Sequence, residues 1–222
     1  MNKYEKCLET RPKHIAIVAM GDSSVHYMRK RTINQGVDIV PDEVWGINFV
    51  CDWLKADKIF LMDGFESLSG LGWESWAKRQ VSSTVPFIMP FKEKRFKCSV
   101  AYPLEEVIHN LKVWKELSNT ACYALAYAIH IGVRRIDCFG FDFDYKDERF
   151  LDPDGHPYIC VQEDTKAATQ FWAGIAIGRG IAVNSAPGRF LNTYDGFFYG
   201  YPKERQPVIV GRPIVKDAEQ GK

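Results

Sequence analysis

His14-Ile15-Ala16-Ile17-Val18-Ala19 is a nearly unbroken apolar run, and it leads straight into Met20-Gly21-Asp22-Ser23-Ser24. A run of that length fits a strand buried on both faces, as in a parallel sheet, and the small polar residues after it mark its end. The arrangement recurs. Residues 44–48 (VWGIN) and 58–62 (KIFLM) predict two more strands, ending at Asn48 and Asp63, with a short helix or turn over 49–56 between them. Residues 85–89 predict a weaker strand, and Pro86 and Pro90 suit an edge position for it.

Helical periodicity takes over downstream. Leu104, Val107, Ile108, Leu111 and Trp114 fall on one face of an amphipathic helix, with Pro103 in its first turn. Ser118-Asn119-Thr120 supplies N-cap residues for a second helix through Ile131, closed by Gly132 at C′. Residues 135–140 (RIDCFG) return as a strand ending at Phe141-Asp142-Phe143-Asp144-Tyr145. A polar loop over 146–157 follows, and then a helix over about 163–179 that buries Ala167, Ala168, Phe171, Trp172, Ile175 and Ala176. Gly180 ends it before a last strand over 181–184. Strands alternating with helices predict an α/β chain with a single open, mostly parallel Rossmann-like sheet and helices on both faces. Residues 1–190 would form that nucleotide-binding domain. Residues 191–222, rich in Gly, Pro and aromatics, would form an extension that packs on it and frays at its end.

Composition narrows the class. The 222 residues are 46% hydrophobic and 26% charged with a net charge of +1, which excludes disordered, collagen-like and coiled-coil chains. The longest apolar-rich stretch, 121–133, contains His130 and is too short to cross a bilayer, so no membrane partner is expected. The charged start, 1–13, does not resemble a signal peptide, and a cytoplasmic location is expected. The six cysteines include no C-x-x-C pair and read as reduced residues, with Cys122 and Cys138 in the core.

In open α/β sheets ligands bind outside the carboxyl ends of the strands, where the strand order reverses. That rule selects 21–24, Asn48, Asp63, Gly64, 140–145, Asn184 and Ser185. Gly21, Asp22, Ser23 and Ser24 fit either a plain turn or a phosphate-binding one, although no G-x-G-x-x-G or P-loop is present. Ser118, Asn119 and Thr120 fit either a simple cap or an anion site at a helix start. Asp63, Asp142 and Asp144 suit turns, ribose contacts, proton abstraction or Mg²⁺. His156, in the polar loop, is the histidine a closing lid over 146–160 would bring to the site, whereas His14 and His109 read as surface residues. Tyr123, Tyr127 and His130 form a stripe expected to pack against a neighbour.

Residues 118–145 (SNTACYALAYAIHIGVRRIDCFGFDFDY), with AIVAMGDSS and DEVWGINFVCDWLKADKIFLMD, resemble the bacterial sialyltransferases that use CMP-activated sugars. They are also similar to the Rossmann-like family that includes archaeal hydroxymethylpterin diphosphokinases and to small phage-encoded proteins, some of them regarded as glycosyltransferases. The likeness spans about residues 12–185. It implies that Gly21, Asp22, Ser23, Asn48, Ser118, Asn119 and Thr120 surround a nucleotide, and that Gly140, Asp142 and Phe143 line the same pocket. The sialyltransferase turn G-x-G-P-S lacks its second Gly and its Pro here, and His156 is the nearest candidate for that family's base.

Three functions follow. The first is a nucleotide-sugar-dependent glycosyltransferase acting on a hydroxyl, with Asp63, Asp142 or His156 as base, and with modified DNA as one acceptor if the chain is phage-encoded. The second is a Mg²⁺-dependent phosphoryl or pyrophosphoryl transferase with Asp63 and Asp142 as ligands. The third is a nucleotide-sequestering protein without turnover. The near-zero net charge hides a cancellation: 137–164 is strongly acidic, while Lys78, Arg79, Lys92, Lys94, Arg95 and Lys97 face only Glu93 across 78–97. Lys92, Lys94, Arg95 and Lys97, interleaved with Trp73, Trp76, Phe87, Phe91 and Phe96, suit either a solvated loop or a nucleic-acid contact beside the predicted site.

Overall fold

The computed structural model describes residues 3–28, 40–63, 80, 83–94, 96–143, 159–185 and 191. The chain divides into two units, Met1–Leu191 and Asn192–Lys222, and the second lies outside the described residues, as does nearly all of the predicted extension.

Seven strands form one open sheet in which every pairing is parallel: β1 (His14–Val18), β2 (Glu43–Ile47), β3 (Lys58–Phe60), β4 (Phe87–Met89), β5 (Ser99–Ala101), β6 (Arg135–Phe139) and β7 (Ala182–Ser185). Their spatial order is β5-β4-β3-β2-β1-β6-β7. Three α-helices are described: α1 (Leu104–Leu111), α2 (Thr120–Ile131) and α3 (Ile159–Gly178). Among the described residues, no helix is long and apolar enough to cross a membrane.

Strand alternation builds two cores. Ile15 and Ile17 of β1 join Trp45, Ile47, Phe60, Ile136 and Cys138 against α1, α2 and α3. Ala16 and Val18 face the other way, toward Leu61, Phe87, Met89 and Phe139. That second face is covered by Tyr27, at the start of a helical segment, by Val50 from a 3-10 turn over Asn48–Asp52, and by Phe96 from the β4–β5 connection. A fully buried Ile or Phe contributes roughly 1.5–3 kcal/mol, so the central strands anchor the fold from both sides. Trp45, Phe60 and Tyr127 pack with ring centroids 5.3–5.9 Å apart. Lys58 is buried under Trp45 and held by Glu43 at 2.8 Å and by the Cys7 carbonyl at 2.9 Å. The described cysteines are free thiols, and burial pushes those of Cys7 and Cys98 up to about 11.

Several expectations need correction. The strand at residues 85–89 shortens to Phe87–Met89 and is not an edge, because β5 pairs outside it. Pro86 and Pro90 flank it rather than lie in it, so no ladder donor is lost. The first helix stops before Trp114, since Lys112 takes a left-handed conformation (φ 55°), and Trp114 is exposed. The stripe of α3 is rotated: Ala168, Thr169, Trp172, Ala173 and Ala176 are buried, whereas Ala167 and Phe171 are exposed. The backbone of α3 also begins earlier, at Ile159.

His14 is not a surface residue. It is 6% exposed, and its Nε2 lies 2.8 Å from Asp137 Oδ2. Burial alone would raise the Asp137 carboxyl. Hydrogen bonds from Arg135, Asn184 and His14 outweigh that and hold its pKa below the usual value.

Candidate functional site at the carboxyl edge of the sheet

The chain leaves β1 toward β2 on one side and leaves β6 toward β7 on the other. The order therefore reverses between β1 and β6, and the crevice beyond their carboxyl ends is the favoured ligand position in such a sheet. Backbone pairing carries the two strands past their ends: Ala19 N donates to Phe139 O at 2.8 Å, and Gly21 N donates to Gly140 O at 3.0 Å.

That close approach explains two glycines. Gly140 has φ +76°, and a Cβ there would run into the Ala19 carbonyl. A Cβ on Gly21 would lie 2.5 Å from Asp142 Oδ2 and 2.6 Å from the Gly140 carbonyl oxygen. Beyond Gly21, Asp22–Ser24 form a 3-10 turn, and Asp142 reaches across to it. The Ser23 backbone N–H donates to Asp142 Oδ2, and the Gly140 N–H donates to Ser23 Oγ at 2.9 Å. Turn and strand end are thus clasped from both sides.

The clasp changes what the turn offers a ligand. A turn N–H that would serve a phosphate already carries an internal carboxylate, in a charge-assisted bond of about 1.5–3 kcal/mol. The other oxygen, Asp142 Oδ1, is buried and has no hydrogen-bond partner among the described residues, on a side chain only 9% exposed. Next to it Phe143 sits at φ 53°, a conformation that costs a bulky residue of order 1–3 kcal/mol.

The neighbouring strand ends add more groups to this edge. Asn48 directly follows β2 at φ 56°, and its Oδ1 is likewise buried and unpartnered among the described residues. Asp63 lies three residues beyond β3. It is exposed to solvent at its rim, yet partial desolvation raises its carboxyl pKa.

The start of α2 belongs to the same edge, because α2 runs back to deliver β6 at the opposite one. Asn119 is its N-cap. Its Oδ1 accepts from Cys122 N at 3.1 Å, and its Nδ2 donates to Thr165 O and Thr169 Oγ1 of α3, both at 3.3 Å. Both ends of the Asn119 amide are therefore engaged within the protein. Thr120 is buried, and Ser118 is exposed. Tyr123 and Tyr127 pack around Tyr102, with centroids 5.1 and 6.1 Å away.

The structure therefore brings Gly21, Asp22, Ser23, Gly140, Asp142 and Phe143 together at the β1/β6 crevice, with Ser24 closing the turn. Asn48, Asp63 and Ser118–Thr120 stand along the same edge. Gly64, Asp144, His156, residues 146–158 of the lid expected over 146–160 and the side chain of Cys160 lie outside the described residues, and the last two lid positions, 159 and 160, begin α3 instead. Among the described residues, no group of three or more His, Cys, Asp or Glu converges as a metal site.

The basic segment is elsewhere. Lys97 precedes Ser99 at the start of β5. Lys92 pairs at 2.8 Å with Glu5, in the N-terminal segment that also holds Lys58 at the start of β3. Those lysines thus sit toward the edge where strands begin, not beside the β1/β6 crevice. Phe87 and Phe96 are core residues in edge-on contact at 4.7 Å and are unable to stack on a base. Arg95, Lys78, Arg79, Trp73 and Trp76 lie outside the described residues. Lys3 and Tyr4, which line a cleft with Lys92, Lys94 and Lys97, carry no local signal in the sequence because they are distant along the chain.

No protein-family model matches the chain, and no curated protein matches it. The fold defines it as an open, parallel α/β protein, and its candidate ligand edge is built from the carboxyl ends of β1, β2, β3 and β6.

Proposed function

We propose that the chain binds a nucleotide sugar at the carboxyl edge and transfers the sugar to a hydroxyl acceptor. The observation that carries this reading is Asp142 Oδ1, a buried acceptor at the strand-order reversal with no partner among the described residues. An unsatisfied buried acceptor costs about 1–3 kcal/mol, more when charged, and a ligand's O–H or N–H relieves it. Ribose hydroxyls or a base amino group fit that need, and Asn48 Oδ1 repeats it one strand away from β1.

Phosphate oxygens do not fit beside that carboxylate, since like charges repel and the Ser23 N–H is taken. The N-terminal turn of α2, with the exposed Ser118 hydroxyl, is the better place for them, favoured by the helix dipole. Asp63 then serves as base, because a carboxyl with a raised pKa is the stronger proton acceptor. In the transfer the acceptor oxygen bonds to the anomeric carbon and its proton passes to Asp63. The bond from that carbon to the phosphate oxygen breaks, and its electron pair leaves with the nucleotide. The resemblance of 118–145 to CMP-sugar transferases points the same way.

A second reading, Mg²⁺-dependent phosphoryl transfer, draws on the same oxygen, since an unpartnered carboxylate oxygen also accepts a cation. A thermal-shift panel of ATP and CMP-, UDP- and GDP-sugars, run with Mg²⁺ and with EDTA, separates the two. A saturating ligand at about 100 times its Kd adds roughly 2.7 kcal/mol. For a domain of this size that raises Tm by roughly 5–10 °C. Stabilisation by a nucleotide sugar in EDTA supports glycosyl transfer, and stabilisation only by ATP with Mg²⁺ supports the second reading. No stabilisation by any of them overturns both.

A further inference from the structure

We propose that the cleft between the N-terminal segment and the β4–β5 connection is a binding site for single-stranded nucleic acid. Lys3, Tyr4, Lys92, Glu93, Lys94, Phe96 and Lys97 line an open cavity of roughly 670 Å³. Four lysines thus face one glutamate. Lys92 is paired with Glu5, and Lys3 lies over the Tyr4 ring at 4.7 Å. Lys94 and Lys97 are exposed and make no ion pair or side-chain hydrogen bond among the described residues. Uncommitted ammonium groups on a concave wall attract a polyanion that is able to enter it.

The aromatic content decides which polyanion. Phe96 is fully buried and serves the core, but Phe91, which precedes Lys92 in the chain and stands outside the residues that line the cleft, is 83% exposed, the most exposed phenylalanine among the described residues. An aromatic face beside lysines stacks on an unpaired base, whereas a duplex or an acidic peptide has no base to offer it. The two observations together select a single strand, with phosphates on Lys3, Lys94 and Lys97 and a base on Phe91. The cleft lies toward the edge where the strands begin, away from the β1/β6 crevice. A strand held there is therefore anchored rather than presented to Asp63 as an acceptor.

The test is fluorescence anisotropy of a labelled twelve-nucleotide oligo(dT) with the full chain, between 50 and 200 mM KCl. Three released counterions give a log–log slope of about −2, equivalent to about a 20-fold loss of affinity over that range. The Lys94→Ala/Lys97→Ala pair should bring the slope to about −0.7. Phe91→Ala should weaken binding at least about fivefold at any salt, leaving the slope unchanged. All three changes are on the surface, so unchanged melting curves accompany them. The proposal is overturned by no binding at 50 mM KCl, or by binding that Phe91→Ala leaves intact. Equal affinity for a duplex of the same length, for polyglutamate or for phosphatidylserine vesicles also overturns it, because each reads charge alone.

Discussion

Asp142 accepts the backbone N–H of Ser23, a residue 119 positions earlier in the chain, and so ties the end of β6 to the turn after β1. The same bond fills the turn's anion-binding amide and turns the second carboxylate oxygen into a buried acceptor. Asp142→Ala should therefore destabilise the protein by roughly 2–3 kcal/mol, measured in urea melts, because the Ser23 amide loses a charged partner. Asp142→Asn keeps an acceptor for Ser23 but puts an N–H where Oδ1 was. It should melt near the wild type, yet bind the nucleotide sugar at least about tenfold more weakly by calorimetry.

Replacing either glycine of the clasp should be costly. Gly140→Ala combines a left-handed backbone with a Cβ against the Ala19 carbonyl, and Gly21→Ala presses on Asp142 and on the Gly140 carbonyl. Each should lose roughly 2–4 kcal/mol, since main-chain atoms have little room to yield. Denaturant midpoints check this, and wild-type stability in both variants would show that the β1/β6 ends are not in close contact.

Asn119→Ala removes the cap of α2 and its tie to α3 together. A cap alone is worth about 1 kcal/mol, so a loss of about 1–2 kcal/mol is expected in thermal or urea melts. Asn119→Asp retains the bond from Cys122 N and should recover about half of it. A fall in nucleotide affinity with full stability would instead assign the Asn119 amide to the ligand.

Much of the sheet was legible because parallel strands buried on both faces must be apolar at successive positions, as in Ile15–Val18. The strand β5 was not, for it is three residues long and emerges from a charged segment with Ser99 at its head. Periodicity also carried the first helix too far, since Trp114 keeps the spacing while Lys112 has already broken the backbone. The edge residues followed from the strand ends alone. Their bonds did not: Asp142 to Ser23, His14 to Asp137 and Asn119 to Thr169 join residues far apart in sequence, and nothing local encodes such pairings. The commitment of Asn119 to α3 and the unpartnered oxygen on Asp142 emerge only from packing.

Asp63 carries the pH prediction for catalysis. Its raised pKa means that the base form fills at a higher pH than for an ordinary carboxyl. The glycosyl-transfer rate should climb through an acid limb whose midpoint lies above the usual value near 3.9. Asp63→Asn should lower kcat by about 10²–10⁴ with little change in the Kd for the nucleotide sugar. It should not lower Tm, because folding disfavours the charged form of Asp63. An unchanged kcat removes Asp63 as the base.

Asp137 predicts the acid stability. Its folded-state pKa is depressed, so its contribution is complete above the unfolded value near 3.9 and is lost as the pH falls through the folded value. Asp137→Asn should cost on the order of 3 kcal/mol at neutral pH by leaving Arg135 and His14 without their carboxylate. It should also flatten the decline in stability below about pH 4. Urea midpoints from pH 3 to 7 measure both.

The most direct measurement is a crystal structure of the protein with the nucleotide sugar that raises Tm most. The predicted result is electron density at the β1/β6 crevice, with a ligand O–H or N–H donating to Asp142 Oδ1 and the phosphates at the start of α2. Density confined to the lysine cleft, or no density at the β1/β6 crevice at saturating ligand, would contradict the account.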